Sequence, residues 1–123
     1  MKKDIASRAD IELLVTRFYD KVKVDDTIGY IFNDVAKVDW DKHLPAMFNF
    51  WENVLLFTGE YRGNPMQIHQ HLHQKEPLTK AHFKRWEQLF LQTIDELFEG
   101  DKATLARQRA VSISTVIQIK IVR

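Results

Sequence analysis

Apolar residues return every three or four positions along most of this chain, while its four glycines and three prolines fall mainly between those runs. That spacing places the apolar side chains on one face of a helix, so the pattern predicts an all-α fold. Ile11, Leu14, Val15, Phe18 and Val22 form the first stripe, with Tyr19 on its edge, and predict a helix over 10–23. The short piece Ile28–Phe32, after Asp25 and Asp26, predicts one or two further turns. Trp40, His43, Met47, Phe50, Trp51, Val54 and Leu55 share one side of a longer helix, with His43 inside the stripe. Pro45 lacks a backbone donor and crowds the preceding turn, so it implies a kink or a helix start just upstream.

The stretch TGEYRGNP at 58–65 is rich in turn formers and leads into MQIHQHLHQK at 66–75, which holds three of the five histidines. Pro77 stops that stretch and Thr79 is placed to cap a new helix, whose apolar stripe is Phe83, Trp86, Leu89, Phe90, Ile94 and Leu97. Gly100 ends it. Asp101 is then expected to cap the last helix, with Leu105, Ala106, Ala110, Ile113, Val116 and Ile117 facing inward. Val111, Ile113, Thr115, Val116, Ile117, Ile119, Ile121 and Val122 favour a strand by propensity, but a lone strand has no partner here and the segment reads as helix.

A length of 123 residues with 45% hydrophobic content suits a single domain over 1–123. The net charge is +1 and the basic residues are scattered, so no stripe exists to neutralise a row of phosphates and nucleic acid is not an expected partner. The absence of cysteine excludes disulfides, thiolate zinc sites, iron–sulfur clusters and thiol nucleophiles, leaving histidine and carboxylate as side-chain metal ligands. Asp4, Arg8, Asp10 and Glu12 interrupt the N-terminal stretch before a signal peptide can form, and no apolar run approaches the roughly 20 residues needed to cross a bilayer. A soluble, cytoplasmic protein without membrane contact is expected.

His69 and His73 share a helical face while His71 points away, so this run supplies at most two metal ligands acting together. Buried polar tips carry more information. A buried imidazole at His43, the Tyr19 hydroxyl and the Trp86 indole N–H each need a partner, and they come from three different predicted helices. Aromatic stripes of this kind also occur as plain core, and spacing alone does not bring the three helices together.

The ordered pieces FYDKV (18–22), IGYIF (28–32), Trp40, HLPAMFNFW (43–51), YRGNPMQIH (61–69), HFKRWEQLF (82–90) and RQRA (107–110) resemble the truncated haemoglobins, and most closely their third group, across nearly the whole chain. The resemblance implies a globin-like fold, a shortened two-over-two helical sandwich around a haem, protoporphyrin IX iron. It makes His69, four residues after Pro65, the proximal iron ligand; His71 and His73 remain rivals, since the sequence shows an insertion after this turn. Tyr19, His43 and Trp86 fall on the distal side, and Phe18, Phe32, Met47, Phe50 and Phe90 form apolar walls. Arg62 and Lys75 are candidates to pair with the haem propionates by local position.

The implied function is binding of dioxygen, nitric oxide or carbon monoxide at a five-coordinate iron. Nitric oxide dioxygenase or peroxidase-like redox activity is a further expectation, with an electron-donating reductase as an expected partner. His43 is open to three roles: donating to the ligand, gating its entry or binding the iron. Two other classes compete: a cofactor-free helical interaction module, and a non-haem metal site using His69 and His73 with a carboxylate. No G-x-S-x-G elbow or other nucleophile signature points to a hydrolase.

Overall fold

The computed structural model describes residues 2–57 and 78–121, which form helices and no strand. Helix α1 runs Arg8–Lys23 and buries Ile11, Leu14, Val15, Phe18, Tyr19 and Val22, the stripe expected from the sequence. It begins two residues earlier than its apolar pattern because Asp10 folds back. Its carboxylate accepts from the Ala6 N–H at 2.9 Å and pairs with the Lys3 ammonium at 2.8 Å.

The chain then turns sharply. Asp25 accepts the N–H groups of Thr27 and Ile28 at 3.0 and 3.1 Å, so a turn forms where the short piece Ile28–Phe32 was expected to begin. A Cβ at Gly29 would lie 2.9 Å from the Val22 carbonyl oxygen, and only glycine lets the corner cross the end of α1 this closely. The helical piece begins at Gly29, one residue after the expected start, and runs on past Phe32 as a π-helical turn over Ile31–Val35, in which Ala36 N–H reaches the Ile31 carbonyl at 2.8 Å. Lys37, in the left-handed region at φ 49°, and a bond from Val38 N–H to the Phe32 carbonyl at 2.9 Å close it.

Helix α2 spans Trp40–Leu56. Asp39 caps it through the Asp41 N–H, and Phe57 ends it with φ 58°. Pro45 therefore sits within α2, which starts upstream of it, five residues earlier. Helix α3 spans Lys80–Leu97 and opens with the expected Thr79 cap. Thr79 Oγ1 accepts from the His82 N–H, and His82 Nδ1 accepts from the Thr79 N–H at 3.1 Å.

Helix α4 spans Asp101–Ile121, so the segment is helical despite its β-branched content. Its cap differs from expectation. Asp101 is the first helical residue, and Asp4, from the other end of the chain, accepts the N–H groups of Lys102 and Ala103 at 2.9 Å each. Gly100, at φ 143°, sits against that carboxylate, where a Cβ would lie 2.5 Å from Asp4 Cγ. Val116 was expected to face inward but is 48% exposed; the inward line runs Ala103, Ala106, Ala110, Ser114 and Ile117. Steps of three and four make this a narrow ridge of mostly small side chains, and Val116 lies off it.

Helix α1 packs against α2 and α3, α3 packs against α4, and α2 also meets α4. Phe18, Phe90, Leu14, Ile94 and Leu55 lie fully buried in the resulting core.

Candidate functional site

Tyr19 holds the centre of an aromatic cluster contributed by α1, the π-helical turn and α2. Its ring meets His43 edge-on at 5.0 Å, Trp40 at 5.4 Å and Phe32 at 5.9 Å. Expected at the edge of its stripe, it is only 5% exposed, because the π-helical turn and the first turn of α2 fold over it. Burial raises the Tyr19 phenol above its ordinary pKa, so the hydroxyl stays protonated and remains a hydrogen-bond donor. His43 is half-buried, and its Nε2 atom is sealed from solvent.

The next residue on α1, Phe18, connects this cluster to α3. Its ring lies 4.7 Å from Tyr19, 5.6 Å from Trp86 and 4.9 Å from Phe90, edge-to-face in each case. Trp86 stacks parallel to Phe90 at 5.5 Å, and Phe90 stacks on Trp51 at 4.6 Å. Tyr19 and His43 thus touch directly, and Trp86 joins them through Phe18. Lys23 Nζ sits 4.6 Å from the centroid of the Trp40 ring, a cation at the margin of the cluster that its sequence position did not suggest.

The apolar residues divide by exposure. Phe32, Met47, Phe50 and Trp86 are partly buried against the core and keep apolar surface uncovered, whereas Phe90 has none and backs Trp86. Partly uncovered apolar side chains on the π-helical turn, α2 and α3, together with an imidazole, a phenol and an indole, suit a flat apolar macrocycle carrying a polar centre. By this measure the described residues fit a haem. His69, its rivals His71 and His73, and Arg62 and Lys75 lie outside the described residues. Among those described, no group of three His, Asp or Glu side chains is placed to hold a metal ion.

A cleft of about 290 Å³ between the N-terminal segment, the end of α3 and the start of α4 is lined by Lys2, Phe98, Glu99 and Arg107 among others. It contains none of the aromatic cluster, and its Arg107 is already paired with Asp95.

Residues 3–117 match the family described as bacterial-like globin. The chain belongs to that family. This globin is 30% identical over 121 residues to the Group 3 truncated hemoglobin of Campylobacter jejuni, covering 96% of its own length and 93% of the relative's. Its fold superposes on the crystal structure of a group III truncated hemoglobin from Campylobacter jejuni with a TM-score of 0.85 at 29% identity, covering 98% of this chain and 95% of that one. The truncated-globin fold and the group III likeness expected from the sequence are therefore shown, and the family is one of haem-binding, oxygen-binding proteins. Among its described residues, no helix of this globin is long and apolar enough to cross a membrane.

Proposed function

We propose that this globin, as a single domain over 1–123, holds iron protoporphyrin IX against the wall of Phe32, Met47, Phe50 and Trp86 and binds small diatomic gases there. His69 serves as the proximal ligand, with Arg62 and Lys75 near the propionates. The observation that carries the reading is the edge-on contact of Tyr19 and His43 at 5.0 Å, with Phe32, whose ring meets both, only partly buried. When bound, haem would supply an iron able to take dioxygen, nitric oxide or carbon monoxide, together with its redox chemistry.

The protein's part is binding, orientation and hydrogen bonding. Tyr19 keeps its proton and offers an O–H to a ligand that gains negative charge. Trp86, held between Phe18 and Phe90, offers an indole N–H from the neighbouring helix. Each bond contributes about 1 kcal/mol, slowing ligand release about five-fold. His43 sits where its ring can support Tyr19 and screen the pocket from water. Two donors favour retention over delivery, which supports reactive use of the ligand, nitric oxide dioxygenation or peroxide chemistry, fed by an electron-donating reductase.

The test is an optical spectrum of the purified chain, ferric and ferrous, with and without carbon monoxide, after supplying haem. A Soret band that shifts with carbon monoxide at one haem per chain supports the reading, and Tyr19→Phe should then release dioxygen about five-fold faster. A well-folded chain that stays colourless refutes it and leaves a cofactor-free helical module.

A further inference from the structure

In the turn leading up to Trp86, two side chains on the same face of α3, His82 and Arg85, fasten that helix to the corner between α1 and the π-helical turn. Arg85 places both Nε and Nη2 on Asp25 Oδ1, at 2.8 and 2.7 Å. The other oxygen of Asp25 takes the N–H groups of Thr27 and Ile28, so this carboxylate, 5% exposed, shapes the corner and binds the helix at once. Asp25 is held below its ordinary pKa: burial raises it, but the Arg85 bond, the two backbone N–H bonds and the Arg85 charge together outweigh burial. Three residues before Arg85, His82 spends its Nδ1 on the Thr79 N–H, which leaves Nε2 to carry the proton and donate to Tyr30 Oη at 3.3 Å.

The corner that receives both bonds continues into Phe32, which packs on Tyr19 and His43. Arg85 is followed directly by Trp86. We propose that Arg85, through Asp25, is a positioning residue for Trp86: it fixes the rotation of α3 against the Tyr19 cluster and so sets where the indole N–H points. This rests on the gas-binding reading above. A side-chain tip stands about 6 Å from a helix axis, so rotating α3 by about 10° carries the indole about 1 Å, enough to lose a hydrogen bond. Arg85 is itself 39% exposed and touches none of the aromatic cluster in any ring contact, so its effect must pass through the helix.

Arg85→Met keeps the aliphatic stem and leaves the single His82–Tyr30 bond, which keeps α3 docked but lets it turn; Arg85→Lys keeps the charge but not the two-pronged contact. Both are to be made with Trp86 intact and in a Trp86→Phe background. Dioxygen release and the carbon monoxide stretching band are measured on haem-loaded protein, and the Trp86 indole proton resonance on the haem-free chain. The expected result is release about five-fold faster and a shifted band for Arg85→Met, partial recovery in Arg85→Lys, and no further change in either when Trp86 is already phenylalanine. Equal effects with and without the indole, or an unmoved band and resonance, overturn the proposal. If the chain takes up no haem, the gas-binding reading fails separately, and the haem-free resonance alone decides whether Arg85 aims the indole.

Discussion

Replacing Asp4 by alanine removes the cap of a helix that begins almost a hundred residues later in the sequence. The Lys102 and Ala103 N–H groups lose an acceptor at 2.9 Å each, and the Ile5 N–H loses one at 2.8 Å. Loss of a cap costs about 1 to 2 kcal/mol, and removing a negative charge from a helix N-terminus adds about 0.5 kcal/mol. For a chain of this length the sum lowers the unfolding midpoint by about 5–10 °C, measured by far-ultraviolet circular dichroism. Asp4→Asn, which keeps one acceptor and loses the charge, should fall about halfway. The pH dependence gives a second check. Burial raises the Asp4 pKa, but the backbone N–H bonds from Lys102, Ala103 and Ile5 and the Lys102 charge outweigh it, so the folded value lies below the unfolded one. The stabilisation is therefore complete above the unfolded value and lost as pH falls through the folded one. The gap between wild type and Asp4→Ala should narrow in strong acid. A midpoint unchanged by Asp4→Ala at neutral pH, or a gap that persists undiminished in acid, would refute the assignment of Asp4 as the cap.

Other outcomes follow from the same geometry. Gly100→Ala combines a left-handed φ with a collision against Asp4 and should cost more than about 1 kcal/mol, read as a lowered urea midpoint. Phe18→Ala opens a void where three ring contacts meet and should cost about 3 to 5 kcal/mol, with the Trp86 and Tyr19 environments disturbed together in near-ultraviolet circular dichroism. His69→Ala should lower haem occupancy and the haem-dependent part of thermal stability; an unaltered five-coordinate spectrum in that variant points to His71 or His73 instead. Dioxygen release governed by Tyr19 should stay flat through mildly alkaline pH, because the buried phenol does not ionise there, whereas a rise in release would reveal an exposed hydroxyl.

The stripes at steps of three and four gave the four long helices, and they gave the inward turn of Phe18, Val22, Trp51, Leu55, Phe83, Phe90 and Ile94 because burial follows the helical period. They also put Tyr19, His43 and Trp86 on three separate helices. What they withheld was long-range. Nothing near Gly100 announces that Asp4 will cap α4, since the acceptor arrives from the other terminus. Nothing near Asp25 announces Arg85, because a carboxylate after a helix reads as an ordinary turn former until its partner is in place. The short helical piece after Asp25 was legible within a residue at its start, but its π-helical continuation to Val35 was not, because a local pattern of apolar residues does not show that Ala36 N–H will reach back to the Ile31 carbonyl. Val116 misled because a β-branched helix offers apolar side chains on every face, and the choice among them falls to the neighbour's shape.

Pro45 leaves a lasting mark on α2. With no N–H at that position, the Asp41 carbonyl has no backbone donor four residues on, and the ladder is interrupted just past the turn that bears Trp40 and His43. That turn is fastened from its own side by Asp39, whose carbonyl accepts the His43 N–H at 2.8 Å. An otherwise continuous helix thus lacks one rung, between Asp41 and Pro45. Fraying from the N-terminal end meets that missing rung first, and solvent amide exchange along α2 should be faster before Pro45 than after it.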